Sequence, residues 1–130
     1  MARVKGIGGV FFKSHDPANL QAWYREHLWL EPANEEPEAV TIFKWREAQD
    51  PEQEHYSVWC PFPQHTDYFD PTTSPYMINY IVDDLDGMIQ QLRAAGVQVD
   101  DRVEESEYGR FSWAVDPEGV RFELWQPPAR

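Results

Sequence analysis

The strongest constraint on how this chain folds is a repeat that divides it into two halves. The segment HYSVWCPFP at 55–63 aligns with RFELWQPPA at 121–129 at a constant offset of 66 residues. At the front of each half the offset is 68, which places Gly9 over Met77. Units of about 60 residues bury too little surface to be stable alone. The two copies must therefore share a core, either within one chain or across a dimer.

Both halves give the same order of predicted elements: a strand, a helix and a run of strands. The helices are indicated by apolar residues at helical spacing behind a capping residue, Asp16 in the first half and Asp83 or Asp84 in the second. Gly96 is placed to end the second helix. The predicted strands are 4–13, 40–45, 55–62, 76–82, 97–102, 111–115 and 120–126, and the predicted helices are 17–28 and 85–95.

We predict a single domain over 1–130. Module one covers about 1–62 and module two about 76–130. The segment between them, about 63–75, is polar with three prolines, which is the composition of a linker. The acidic run at 100–107 is predicted to be a solvated loop.

Charge and composition exclude several classes of partner. The chain has 11 Lys and Arg against 23 Asp and Glu, a net charge of −12, which repels phosphate backbones and anionic lipid. We therefore expect neither nucleic acid nor a membrane as partner. The single Cys and the absence of an export signal lead us to expect a cytoplasmic protein.

Three motifs carry a family resemblance over nearly the whole chain: DPANLQAWYREHL at 16–28, VDDLDGMIQQLRAAGV at 82–97 and DPEGVRFELWQP at 116–127. They resemble the vicinal oxygen chelate superfamily, the group of the glyoxalases, bleomycin-resistance proteins and extradiol dioxygenases. The resemblance implies an α+β fold in which two tandem βαβββ modules form a half-barrel cup. It also implies a homodimer and a small molecule bound in the cup, often on a divalent metal.

The family's four metal positions fall on Gly9, Ser57, Met77 and Glu123. Of these, only Glu123 is an ordinary ligand for a hard divalent cation, since glycine has no side chain and a thioether prefers soft ions. His55 is the one candidate to join it, which gives two protein ligands at best. The cofactor is thus unknown: Zn, Ni, Mn or Fe is possible, but we expect no tightly bound metal.

The face of each strand follows from alternation, because every second residue points the same way. If Glu123 points into the cup, its neighbours Arg121 and Trp125 do too. The repeat carries this face to the first module and leaves Cys60 facing the core. The predicted ligand-binding residues are Phe11, His55, Ser57, Trp59, Met77, Asn79, Arg121 and Trp125.

Each candidate role has a structural alternative. Glu123 is the predicted catalytic residue, because an acid in an aromatic cup has a raised pKa suited to proton transfer. It is equally explained by pairing with Arg121. Trp59 and Trp125 can stack a planar ligand or cation, or they can plug the cup or fill a dimer interface. His55 also fits an ordinary place at a strand end.

Three functions follow. The first is a glyoxalase- or bleomycin-resistance-like protein that binds a small organic molecule in an acidic, Trp-rich cup with a degraded metal site. The second is an enzyme, a metal-assisted lyase, isomerase or dioxygenase that uses Glu123. The third is a non-catalytic structural or interaction module.

Overall fold

In the computed structural model, which describes residues 1–36 and 39–129, strands and helices alternate in two similar blocks. The elements are β1 (Val4–Ser14), α1 (Pro17–Leu28), β2 (Thr41–Arg46), β3 (Glu54–Pro63), β4 (Tyr76–Val82), α2 (Leu85–Ala94), β5 (Glu104–Ser106), β6 (Gly109–Val115) and β7 (Arg121–Gln126).

All these strands belong to one curved sheet, in the order β2-β3-β1-β4-β7-β6-β5. The two modules meet where β1 pairs with β4 in antiparallel fashion. Val10 lies opposite Ile78, its own counterpart 68 residues on, so the axis that relates the modules passes between them. The predicted α+β half-barrel cup is confirmed, with the β1–β4 pair at its centre.

The helices cover the outer face of the sheet. Asp84 caps α2 by accepting a hydrogen bond from the Gly87 amide, and Leu85 and Met88 pack with Leu124. On α1, Asp16 accepts from the Asn19 amide. In the described part of the chain, neither helix is long and apolar enough to span a membrane.

The second half departs from prediction between its helix and β6. The predicted strand at 97–102 is wrong: in that range, Val99 makes an isolated bridge to Ala114. The Asp100 carboxylate accepts a hydrogen bond from the Arg102 amide, which turns the chain away from the sheet. The strand β5 forms instead at Glu104–Ser106, within the run predicted to be a solvated loop.

Candidate functional site

Glu123 lies at the floor of the cup and is 2% exposed. The sheet register determines its neighbours, because Asn79 of β4 and Trp113 of β6 both lie directly beside it. The Asn79 amide nitrogen donates to Oε1, and the Trp113 indole nitrogen donates to Oε2 at 2.8 Å. The hydroxyl of Tyr68 also donates to Oε2. Both carboxylate oxygens are therefore in use.

Burial raises the pKa of Glu123, and the hydrogen bonds from Tyr68, Asn79 and Trp113 oppose the shift only in part. Burial and the negative charge of Glu123 also raise the pKa of Tyr68. The phenol consequently stays protonated and acts as the donor.

Tyr68 belongs to the segment predicted to be a linker, which here enters the cup. Its ring stacks on Phe62 at 5.4 Å, and the next residue, Phe69, is fully buried. The buried Arg121 fixes this segment, since its Nη1 donates to the carbonyl oxygens of Tyr68 at 2.7 Å and Asp70 at 2.6 Å. The Tyr68 ring thus fills the inner cup beside Glu123.

The side chains at the four metal positions do not fit a divalent cation. Gly9 offers no side-chain ligand, Met77 offers a thioether, and both oxygens of Glu123 already accept hydrogen bonds. The Ser57 hydroxyl donates to the Ile7 carbonyl oxygen. No group of three or more His, Cys, Asp or Glu side chains suited to a metal occurs within residues 1–36 and 39–129.

The predicted orientation of Trp59 is wrong. Its ring packs against Phe12 at 5.1 Å and against Tyr24 of α1 at 4.9 Å, on the outer face of the sheet. Ser57 lies on the same face, where it accepts a hydrogen bond from the Trp45 indole. Cys60, predicted to face the core, pairs with Phe11 and shares the cup face instead.

The cause is a difference in strand register. Val58 lies beside Gly9 in module one, whereas Asn79 lies beside Glu123 in module two. When this pairing is continued along the strands, Val58 corresponds to Arg121. That is an offset of 63 residues, whereas the repeat in the sequence predicts an offset of 66. The two offsets differ by three residues. Because this shift in register is an odd number, it turns every side chain of β3 to the face opposite the predicted one.

His55 is also on the outer face, since Tyr56 beside it packs against Trp125 on the cup side. Its Nε2 lies 2.6 Å from Glu47, whose other oxygen lies 3.1 Å from Lys5. The hydrogen bonds from His55 and Lys5 lower the pKa of Glu47. His55 is therefore committed to Glu47 and does not join Glu123.

A cavity of about 760 Å³, here called the outer cavity, opens at one end of the cup. Its aromatic wall consists of Tyr56, Tyr108 and Trp125. Trp125 is 3% exposed and is held by a hydrogen bond to the Tyr108 carbonyl oxygen, whereas the Tyr108 side chain is 58% exposed. Burial and the neighbouring Tyr108 raise the pKa of Tyr56. The charged and titratable residues of the wall are Lys5, Glu47, Asp50, Glu54, His55, Asp83 and Glu107.

The structure thus separates the predicted residues into two groups. Those on the cup face are Phe11, Met77, Asn79, Arg121, Glu123 and Trp125. Those on the other face of β3 are His55, Ser57 and Trp59. Sequence reasoning missed Trp113, although counting outward from the turn at 116–119 pairs it with Glu123. It also missed Tyr68, for which the sequence holds no periodic signal.

Comparison with known proteins agrees with this architecture. The family model of a glyoxalase-like domain matches residues 9–125. A search of curated proteins finds no match.

Solved structures similar to this chain include two methylmalonyl-CoA epimerases. The Streptomyces coelicolor enzyme, in complex with 2-nitronate-propionyl-CoA, has a TM-score of 0.69 and 18% identity, over 98% of this chain and 100% of that one. The Mycobacterium tuberculosis enzyme has a TM-score of 0.59 and 20% identity, over 97% and 90%. A Legionella pneumophila structure described as an NAD-dependent benzaldehyde dehydrogenase has a TM-score of 0.58 and 15% identity, over 92% and 98%. At these identities the likeness shows the fold alone.

Proposed function

The chain belongs to the glyoxalase-like domain family of the vicinal oxygen chelate superfamily, and on that basis we propose that it binds a small organic cation in the outer cavity without a divalent metal. The single observation that carries the proposal is the pairing of an aromatic wall, which includes the exposed Tyr108, with a surplus of carboxylates around one cavity. Binding serves to sequester the ligand, as in the drug-sequestering members that the sequence resembles.

The aromatic wall supplies contact area for a planar cation. Tyr108 is 58% exposed, and Tyr56 is half-buried with its ring edge-on to Trp125 at 5.2 Å. Trp125 in turn stacks on Phe111 at 5.8 Å, which keeps the wall rigid. Electron-rich ring faces attract a cation, and a rigid wall loses little entropy on binding.

The charge around the cavity favours the same ligand class. Glu47 is already paired with Lys5 and hydrogen-bonded to His55, but Asp50, Asp83 and Glu107 add further carboxylates to the wall. The net charge of −12 attracts cations to the protein as a whole. An anionic ligand would be repelled both by the carboxylates of the cavity wall and by the net charge of the protein.

Calorimetric titration with a planar cationic dye tests the proposal, with an uncharged dye of the same shape as control. We expect Tyr108→Ala to weaken binding of the cationic dye by about threefold to thirtyfold. The matched variant Tyr76→Ala removes a tyrosine that is 44% exposed and lies outside the cavity wall, so it should leave binding unchanged. Absence of heat with every cationic dye, or equal binding of the uncharged dye, would refute the proposal.

A second candidate is an enzyme that uses Glu123 for proton transfer, and the raised pKa of that side chain favours it. A substrate must then displace Tyr68, because Tyr68, Asn79 and Trp113 occupy both carboxylate oxygens. Turnover that disappears in Glu123→Gln while cationic-dye binding persists would favour this candidate over sequestration.

The homodimer and the cytoplasmic location remain predictions. Light scattering on the purified chain tests the first, and fractionation of the producing cell tests the second.

A further inference from the structure

The inner cup holds a phenol that the chain itself supplies. The ring of Tyr68 lies parallel to Phe62, with 10° between the ring planes. The Trp113 ring lies perpendicular to it, with 6.3 Å between the ring centroids and 89° between the ring planes. Its hydroxyl donates to Glu123 Oε2. Tyr68 is thus bound as a ligand would be, by a flat apolar slot that ends in a hydrogen-bond acceptor.

The acceptor end of this slot is built from polar groups that are themselves buried. Glu123, Asn79 and Trp113 are 2%, 1% and 1% exposed. Asn79 and Trp113 hold the carboxylate by one donor on each oxygen, which leaves Oε2 directed at the phenol. A buried carboxylate is costly unless donors satisfy it, so this arrangement favours an occupant with a hydroxyl over a purely apolar one.

The occupant is attached by a segment that is otherwise largely at the surface. Among residues 64–75, Phe69 is the one fully buried side chain. Arg121 holds the segment through two backbone carbonyl oxygens. The walls of the slot, by contrast, come from the sheet. Removal of the Tyr68 ring should therefore leave the slot in place.

We propose that the floor of the cup is a binding site for a phenol, and that Tyr68 is its resident occupant. A free phenolic molecule takes the same contacts once the Tyr68 ring is absent. The site is independent of the proposed cation site, because neither Tyr68 nor Glu123 lines the outer cavity. Failure of one proposal leaves the other standing.

The test is to remove the ring and restore it from solution. Tyr68→Ala should have a lowered Tm, and phenol, the group that the substitution removes, should raise it again, as a ligand specific for the folded state does. Benzene, which fills the same volume without a hydroxyl, should bind at least about tenfold more weakly than phenol. In Tyr68→Ala/Glu123→Gln that preference should shrink, because the charged acceptor is gone. Equal rescue by benzene and phenol, or rescue by neither, would overturn the proposal.

A second variant keeps the proposal testable if Tyr68→Ala does not fold. Tyr68→Phe retains the ring and loses only the hydroxyl, so the slot stays filled and phenol should produce no shift in Tm. Loss of the hydrogen bond to a charged group should lower the Tm by roughly 5–10 °C. A Tyr68→Phe variant as stable as the native chain would show that the slot does not recognise the hydroxyl and would overturn the proposal.

Discussion

The guanidinium of Arg121 donates to the carbonyl oxygen of Tyr68 at 2.7 Å, although 53 residues separate the two along the chain. The same nitrogen also donates to the carbonyl oxygen of Asp70, two residues further along the chain. A charged side chain on β7 therefore holds the backbone of a segment without regular structure, from which the Tyr68 ring enters the cup. The ligand-binding residue predicted at 121 instead binds the protein's own backbone.

Arg121→Gln should release that segment and lower the free energy of unfolding by about 2–4 kcal/mol, because two hydrogen bonds from a buried charged group are lost. Chymotrypsin should then cut after Tyr68 or Phe69 much faster than in the native chain. Arg102→Gln is the matched control: Arg102 also lies 5.1 Å from the Trp113 ring but is largely exposed, and should cost less than about 1 kcal/mol. Equal cleavage of the two variants would show that Arg121 does not hold the segment.

Gly8→Ala should disturb the floor of the cup from the β1 side. A β-carbon there would collide with the amide oxygen of Asn79 and lie 2.8 Å from both Ile81 and Trp125. We expect a loss of about 1–3 kcal/mol and a shift of the Trp113 indole N–H resonance, as Asn79 moves off Glu123. Gly96→Ala also costs about 1 kcal/mol, through its φ of +82°, but has open space and should leave that resonance in place. If the Trp113 indole N–H resonance does not move in Gly8→Ala, the close contact between Gly8 and Asn79 is contradicted.

The elements that the sequence predicts well are those determined by local signals. The bounds of α1 follow from Asp16 and the helical spacing of apolar residues, and the end of α2 follows from Gly96. The repeat predicts two equivalent halves, whereas the pair at the centre of the sheet, Val10 opposite Ile78, is known from the structure. The helix bounds need no information from distant parts of the chain, whereas the repeat is a comparison of residues 66 to 68 positions apart.

The candidate site was harder to predict because it depends on register and on cavity filling. The face on which Trp59 lies depends on the register between β3 and β1. A register shift by an odd number of residues moves Trp59 to the other face, although the alternation of residues along β3 is unchanged. Burial of Tyr68 depends on the volume left between Phe62 and Trp113. Such volume is a property of the assembled sheet, and a segment rich in proline gives no periodic sign of it.

Divalent metals should not stabilise the protein. We expect a tenfold excess of Zn²⁺, Ni²⁺, Mn²⁺ or Fe²⁺ to shift the Tm by less than about 1 °C, and a chelator to leave it unchanged, because Glu123 has no oxygen free of donors. Glu123→Ala and His55→Ala, which remove the two predicted ligands, should respond as the native chain does. One equivalent of metal, present in the purified protein and lost in both variants, would contradict this expectation and restore a metal role for the pair.

Titration of Glu123 should make the free energy of unfolding depend on pH. Because burial raises its pKa above the ordinary value of 4.5, the folded state holds this proton more tightly than the unfolded state does. The resulting stabilisation is complete below pH 4.5 and is lost as the pH rises through the folded-state pKa. Glu123→Gln cannot titrate and retains an acceptor for Tyr68, with the Asn79 amide free to rotate. The difference in free energy of unfolding, native minus variant, should therefore fall from pH 4 upward and then level off. Urea denaturation of both proteins at intervals from pH 4 to 8 measures it, and a difference that is constant or rises with pH would mean that the Glu123 pKa is not raised.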